Sequence, residues 1–382
     1  MKCVLQEHEM SLIKKMENEA SKLSNVVSLA QWIPWYPTPD AIQEFVLEKI
    51  KSWQTNRYSI TAWIPQLRQQ IALRYYQKLW VDIDFQNEIV ITAGAIQAIS
   101  SILLTFVWQD DEVILIDPCY ASYSWCIMAS KWKPNYVSLD DNLDLDVDNL
   151  ISSINENTKA IIIANPNNPT WSIFSIEKLR KILDYIKDKE IVLVVDEVYD
   201  EFLFDWNEFL SAVSLYEEYK SNLIIVNSWS KSFWMTWWRV WYFLADSCLS
   251  SEIVKVHDWL ITCAPVHSQW AALASFEIYD SWTEKVRKDL QKRRDYAVKE
   301  LQKLSAYIEF DSPSAAYFIF WRFKYTKDDY NECLKILNET KLALVPWSGF
   351  WERWKWYFRL CFGRDFDDLQ EWISRLEKYF RK

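Results

Sequence analysis

Short apolar runs alternate with longer amphipathic segments between residues 85 and 245. Runs rich in valine and isoleucine predict buried strands, and we expect them at residues 88–92, 112–116, 160–164, 191–195 and 223–226. The run at 191–195 is apolar throughout, which is typical of a central strand covered on both faces. Strands that alternate with helices predict an α/β fold with a mostly parallel sheet.

Both ends of the chain carry helical patterns. Residues 1–25 interleave charged and apolar positions and predict a helical arm, and residues 41–51 predict an amphipathic helix. In the last third, residues 283–305 predict a long charged helix, followed by strands near 316–323 and a helix at 328–340. We expect this last third to belong to a second, smaller domain.

The composition narrows the class of protein. The chain has 382 residues, of which 50% are hydrophobic and 25% charged, and its net charge is −10. A chain of this length can bury a large core, and its acidic charge argues against a nucleic-acid partner. Seven cysteines and three histidines show no zinc-binding spacing. We therefore expect no metal. The polar N-terminus and the lack of a membrane-length apolar run predict a cytoplasmic protein.

The strand at 223–226 leads directly into the strongest candidate chemistry. Lys231 follows this strand closely, and burial there would lower the pKa of its amine and make it nucleophilic. Ser228 and Arg239 flank the lysine with hydrogen-bond donors suited to a phosphate. An amine beside a phosphate grip is what pyridoxal 5'-phosphate (PLP) requires.

Further candidates lie near other strand ends. Residues 94–96 open a helix after the strand at 88–92, and amide groups at a helix N-terminus can bind an anion. Asp196 ends the strand at 191–195, where ligands of α/β sheets gather. Arg359 lies in an apolar strand and therefore needs a partner.

Several motifs together resemble the class I/II PLP-dependent aminotransferases, the aspartate aminotransferase-like enzymes of fold type I. Residues 228–239 resemble the family's Ser-x-x-Lys followed eight residues later by Arg. Residues 196–199 are similar to Asp-Glu-x-Tyr, residues 165–171 to Asn-Pro-x-Asn-Pro-Thr-Gly, and residues 118–123 to Pro-x-aromatic-x-x-Tyr. The resemblance covers about residues 26–365.

The resemblance implies a role for each matching residue. Lys231 is the expected catalytic residue, which binds PLP covalently and moves a proton. Tyr120 is expected to stack on the pyridine ring, and Asp196 to keep its nitrogen protonated. The other expected cofactor-binding residues are Gly94, Ala95, Ile96, Asn168, Tyr199, Ser228, Arg239 and, from the neighbouring subunit of a homodimer, Tyr58.

Substrate binding is implied for three residues. Arg359 is expected to bind the α-carboxylate, Asn168 to assist, and Trp32 to occupy a glycine position in a loop that closes over the substrate. Taken singly, these residues have plainer interpretations: Tyr58 as a core or surface tyrosine, the loop around Trp32 as a linker, and Arg359 as a structural ion pair.

The fold and activity follow from the same resemblance. We expect a large PLP-binding domain at 48–285 and a smaller α+β domain formed by residues 1–47 and 286–382. The implied activity is transfer of an amino group from an L-amino acid to a 2-oxo acid. Ile96 replaces a lysine that some aspartate-using relatives carry, which favours neutral or aromatic amino acids. A C–S lyase or decarboxylase of fold type I is the alternative, and a PLP-sensing regulator would need an added DNA-binding domain.

The glycine content is abnormal. Only 3 glycines are present, where an average of about 7% predicts roughly 27, and tryptophan stands at 24. Tryptophan also occupies family glycine positions at 171, 234, 237 and 241. Our hypothesis is that many tryptophans are glycines in the working protein, because UGA is read as glycine in some bacterial lineages and as tryptophan in others. If every tryptophan is real, indoles at these four positions would crowd the pocket and prevent PLP binding.

Overall fold

A computed structural model describes residues 12–28, 35–56, 64–205, 207–346, 354 and 356–381. Tyr58 and Trp32 lie outside these ranges, so their predicted roles stay predictions. Among the described residues, no helix combines the length and the hydropathy needed to cross a membrane.

Thirteen strands form within the described residues. They are β1 (Val27–Ser28), β2 (Ile89–Thr92), β3 (Glu112–Asp117), β4 (Lys133–Ser138), β5 (Thr158–Ala164), β6 (Val192–Asp196), β7 (Leu223–Ser228), β8 (Trp241–Leu244), β9 (Ile308–Phe310), β10 (Phe318–Phe323), β11 (Leu342–Ala343), β12 (Val345–Pro346) and β13 (Tyr357–Cys361). The five predicted strands in residues 85–245 correspond to β2, β3, β5, β6 and β7.

The large sheet has seven strands in the order β2-β8-β7-β6-β5-β3-β4. Strands β3 to β7 are parallel to their neighbours among themselves, whereas β8 is antiparallel to both β2 and β7. The central strand β6 is buried at all five positions, as expected for a strand covered on both faces. The predicted α/β fold with a mostly parallel sheet is therefore confirmed.

Fourteen helices surround the sheets in the described part of the chain. They are α1 (Leu12–Ser21), α2 (Asp40–Lys51), α3 (Pro65–Leu79), α4 (Ala95–Phe106), α5 (Ala121–Ala129), α6 (Val147–Ser152), α7 (Ile176–Ile186), α8 (Tyr216–Tyr219), α9 (Trp229–Ser232), α10 (Ser247–Ile261), α11 (Val266–Ser275), α12 (Tyr279–Gln302), α13 (Asp329–Thr340) and α14 (Phe366–Phe380). Short 3-10 helices at Ala212–Leu215 and Phe276–Ile278 precede α8 and α12.

A second sheet and a second apolar core form from the last third of the chain. Four strands pair in the order β12-β13-β10-β9, all antiparallel. The N-terminal segment joins this region, because β1 pairs in parallel with β11. Their core includes Trp321, Phe358 and Trp372, all fully buried. The N-terminal segment and the last third of the chain therefore share one apolar core, which covers the small sheet.

Candidate active site

Three neighbouring parallel strands bring the predicted site together. Strands β5, β6 and β7 run side by side, with Ala164 opposite Asp196 and Asp196 opposite Val226. The segments that follow these strands therefore leave the sheet at the same edge. One of them is the short helix α9, which carries Lys231, and its N-cap Ser228 accepts a hydrogen bond from the Ser230 amide.

Lys231 has the surroundings of a nucleophilic amine. Burial lowers its pKa to about 8, and the guanidinium groups of Arg359 and Arg239 act in the same direction. Cys361 and Asp196 oppose this effect. The Nζ atom lies 5.9 Å from the centre of the Tyr317 ring. Since the usual lysine pKa is near 10.5, a substantial fraction of this amine is neutral at physiological pH.

Asp196 is a buried carboxylate held by two donors. The Tyr123 hydroxyl donates to its Oδ2 atom at 2.6 Å, and the Val198 amide donates to Oδ1 at 3.3 Å. Burial nevertheless raises its pKa to about 6. A carboxylate in such surroundings is stabilised by a nearby cation or a protonated ring nitrogen.

Asn168, Tyr199 and Arg359 form one hydrogen-bonded chain. Arg359 Nη1 donates to Asn168 Oδ1 at 3.1 Å, and Asn168 Nδ2 donates to the Tyr199 hydroxyl at 3.5 Å. The Arg359 guanidinium also lies 4.5 Å from the centre of the Phe318 ring. The arginine on β13 of the small sheet thus reaches residues that follow strands of the large sheet.

Gly94 and Arg239 meet at the start of α4. Gly94 is the N-cap of this helix and has φ of 142°, a conformation that favours glycine. A Cβ atom at position 94 would overlap the Arg239 Nη2 atom. Ala95 and Ile96 form the first turn, where amide groups lack helical partners. The guanidinium and the helix N-terminus therefore converge on one place.

Tyr120 is the N-cap residue of α5, and its ring meets that of Tyr123 edge to face, with ring centres 5.5 Å apart. The prediction assigned no role to Tyr123, although its spacing from Tyr120 was part of the motif. Its hydrogen bond to Asp196 spans 73 residues, and no local pattern indicates such a contact. Tyr317 and Cys361 near Lys231 were missed for the same reason.

The prediction about crowding by tryptophan is wrong at one position. The Trp237 side chain is 91% exposed, so in the single chain it does not fill the pocket. The Trp241 indole is buried, and the centre of its ring lies 4.5 Å from the Arg239 guanidinium carbon. The Trp241 ring therefore contacts Arg239, a predicted cofactor-binding residue.

Comparisons with known proteins agree with this geometry. The family model for aminotransferase class I and II matches residues 24–376. The chain is 31% identical over 379 residues to an aspartate aminotransferase of Pyrococcus abyssi, covering 97% of this chain and 96% of that one. It is 29% identical over 377 residues to aromatic-amino-acid aminotransferase 2 of Thermococcus litoralis, covering 97% and 96%.

Solved structures show the same similarity. A Pyrococcus protein described as protein A1 superposes with a TM-score of 0.91 at 28% identity, covering 99% of this chain and 98% of that one. The aspartate aminotransferase of Thermotoga maritima superposes with a TM-score of 0.90 at 26% identity, covering 100% of both chains. The chain has the fold of fold type I enzymes and belongs to the class I and II aminotransferases.

Proposed function

We propose that this aminotransferase uses PLP and that Lys231 is its attachment point and its proton carrier. The observation that carries the proposal is the position of Lys231 directly after β7, at the carboxyl ends of parallel strands. Burial there lowers the pKa of its amine to about 8. Lysines in such surroundings are typical nucleophiles toward an aldehyde.

The donor set fits PLP. Ser228, Arg239 and the amide groups of residues 94–96 supply neutral and charged donors for a phosphate. Asp196 supplies a buried carboxylate for a protonated ring nitrogen. Tyr120 supplies an aromatic face, and Tyr199 and Asn168 supply donors for a phenolic oxygen. The place where Gly94 meets Arg239 has no room for a Cβ atom, as expected where backbone and charged donor converge on one ligand.

PLP, when bound, attaches an amino acid covalently and withdraws electrons from its Cα atom. The chain's residues then perform the proton chemistry. The neutral Nζ of Lys231 accepts the proton from the substrate Cα as general base and gives a proton back as general acid. Asp196 holds a proton on the cofactor's ring nitrogen, and the Tyr123 hydroxyl keeps the carboxylate oriented.

Arg359 provides the anchor for the substrate α-carboxylate. Its guanidinium is held by Asn168 and by the Phe318 ring, so it is positioned before substrate arrives, and a guanidinium binds a carboxylate through two parallel hydrogen bonds. The apolar Ile96 at the start of α4 supports neutral or aromatic amino acids over aspartate as donors. Trp32 is proposed for the loop that covers the substrate.

We also propose a homodimer in the cytoplasm. The match at Tyr58, which in the family contacts the neighbour's cofactor phosphate, supports the dimer. The described cysteines are all free, which is usual in a reducing compartment.

The proposal is tested on protein from its own source. Borohydride reduction followed by peptide mass spectrometry is expected to find the phosphopyridoxyl group on Lys231. A Lys231→Ala variant should lose this label and the activity, whereas Lys255→Ala, which removes an exposed lysine paired with Glu252, should keep both. Product that forms from an amino acid without a 2-oxo acid acceptor would indicate a lyase or decarboxylase instead.

A further inference from the structure

We propose that positions 171, 234 and 241, which border the cofactor site, carry glycine in the functional protein. The proposal rests on the proposed function for its consequence, but its structural basis is the backbone at 171 and 234 and the surroundings of the side chain at 241. Among the described residues, fourteen other than glycine have positive φ. Tryptophan provides 24 of 382 residues, so chance would place about one tryptophan among those fourteen positions.

Five tryptophans have positive φ instead. Their φ values are 61°, 58°, 58°, 56° and 85° at Trp53, Trp80, Trp171, Trp234 and Trp356. This region of backbone space is uncommon for any side chain and is an outlier for a bulky one, whereas glycine adopts it freely. The fold therefore places five tryptophans in a backbone conformation that glycine adopts far more readily.

Position 171 closes the loop that presents Asn168. The Trp171 amide donates to the Asn167 carbonyl at 2.8 Å, and the Asn167 amide donates to the Ser172 carbonyl at 2.8 Å. The two bonds close a loop in which position 171 has a positive φ of 58°. The indole N–H of Trp171 is buried and has no hydrogen-bond acceptor, which costs free energy that a true tryptophan usually avoids. Glycine at this position satisfies the turn and removes the unsatisfied group.

Position 234 follows Lys231 by three residues. Its φ of 56° lets the chain turn away from α9. The indole of Trp234 is inserted between other rings, 4.3 Å from Trp35 and 6.2 Å from Phe202 between ring centres. The turn that holds the catalytic lysine thus has a backbone suited to glycine.

Position 241 blocks the phosphate site directly. Trp241 on β8 lies opposite Thr92 on β2 and opposite Ser228 on β7. Residues that lie opposite each other point to the same face of a sheet. The indole therefore stands between Thr92 and Ser228, against the Arg239 guanidinium, and its own N–H has no acceptor. Glycine at 241 would leave this space to a phosphate, with donors on three sides.

Trp238 provides an internal control. Its φ is not among the positive values, and its indole N–H donates to Thr38 Oγ1 at 3.0 Å. Trp238 has the ordinary backbone and the satisfied N–H of a genuine tryptophan. We expect tryptophan at this position.

The first test is peptide mass spectrometry on protein from its native source. Trypsin cleaves after Lys231 and Arg239, so one peptide, residues 232–239, contains both position 234 and position 238. Glycine at 171, 234 and 241 with tryptophan at 238 is the expected result. Tryptophan at 171, 234 and 241 would overturn the inference. This measurement does not depend on PLP, so it separates the inference from the proposed function.

The second test compares PLP binding by recombinant chains. We expect the triple variant Trp171→Gly, Trp234→Gly, Trp241→Gly to show the visible absorption of bound PLP. Its dissociation constant for PLP should be lower, by about tenfold or more, than that of the parent chain with tryptophan at these positions. The matched control, Trp53→Gly with Trp80→Gly, changes two exposed positions with the same backbone and should leave the constant unchanged. Equal PLP binding by the parent chain and the triple variant would contradict the inference that the tryptophans block the cofactor site. Native glycine without PLP binding by the triple variant would refute the proposed function and leave the glycine assignment intact.

Discussion

Two exposed tryptophans allow the backbone argument to be tested by stability. Trp80 is 78% exposed and ends α3 with φ of 58° and ψ of 26°. Trp259 is 79% exposed and lies within α10. The two side chains are almost equally exposed, so replacement by glycine removes similar burial at both positions. Their backbones differ, and we expect the two replacements to change the free energy of unfolding in opposite directions.

The magnitude follows from three contributions at position 80. The left-handed conformation costs a residue with a Cβ atom about 1–2 kcal/mol. Glycine lowers the stability by about 0.5–1 kcal/mol because it makes the unfolded chain more flexible. Loss of the edge contact between the Trp80 and Tyr76 rings, whose centres are 5.6 Å apart, costs about 0.2–0.5 kcal/mol. Trp80→Gly should therefore stabilise the protein by about 0.5 kcal/mol.

Trp259→Gly should have the opposite effect. Glycine inside a helix is about 0.5 kcal/mol less favourable than tryptophan, so this variant should be destabilised by about that amount. Trp80→Ala is the control for the side chain, because alanine removes the indole but keeps the Cβ atom and the strain.

Urea unfolding followed by circular dichroism measures the effect, with midpoints compared at an unchanged slope. The urea midpoint is expected to be highest for Trp80→Gly, intermediate for the parent chain and lowest for Trp259→Gly. If Trp80→Gly is no more stable than Trp80→Ala, the cost of the left-handed backbone at this position does not exceed the roughly 0.5–1 kcal/mol that glycine loses through the unfolded chain. The argument from φ would then be refuted for the other four tryptophans as well.

The remaining predictions concern titrating groups and the substrate anchor. The rate of PLP attachment should rise as the pH increases through about 8, because only the neutral amine of Lys231 is nucleophilic; a flat profile in stopped-flow absorbance would contradict this. Tyr123→Phe removes a donor that lowers the pKa of Asp196, so that pKa should rise above about 6 and kcat should fall more at acidic than at neutral pH; a parallel loss at every pH would indicate a purely structural role. Arg359→Lys should raise the KM for the amino acid by about tenfold, since lysine cannot form the paired hydrogen bonds; an unchanged KM would place the carboxylate elsewhere. Burial raises the pKa of Glu197 from 4.5 to about 8, so the folded state keeps a proton that the unfolded chain releases, and stability should decline as the pH rises from 4.5 through about 8; urea midpoints of Glu197→Gln should lack this decline.

The sequence predicted the sheet because the strands repeat a simple apolar pattern. The expected strand at 160–164 lies within β5, and that at 223–226 lies within β7. The pattern did not predict β8, which is antiparallel and short, and whose first residue is Trp241. Helices α11 and α14 were also missed, although the buried positions Leu369, Trp372 and Ile373 of α14 follow a helical spacing.

The site was predicted as a set of residues and not as a geometry. Lys231, Asp196 and Arg239 each follow or end a strand, and the convergence of parallel strands brings such ends together. The hydrogen bond from Arg359 to Asn168 joins two residues that are 191 positions apart in the sequence. Only the contact between the two sheets brings them together. The Tyr123 bond to Asp196 depends likewise on the orientation of a helix that periodicity leaves undetermined.

The fold and the site depend on glycine to different degrees. Buried strands such as β6 and β7 contain no tryptophan and no glycine, so an exchange between these two residues leaves the centre of the sheet unaltered. The segments at the sheet edge have reversed backbones at 171 and 234, and the proposed function needs open space at 241. Contacts made by many other residues still define the fold, which explains why the family similarity extends over 97% of the chain. A change of glycine to tryptophan therefore preserves the architecture and acts on the proposed cofactor site, where the Trp241 ring contacts the Arg239 guanidinium.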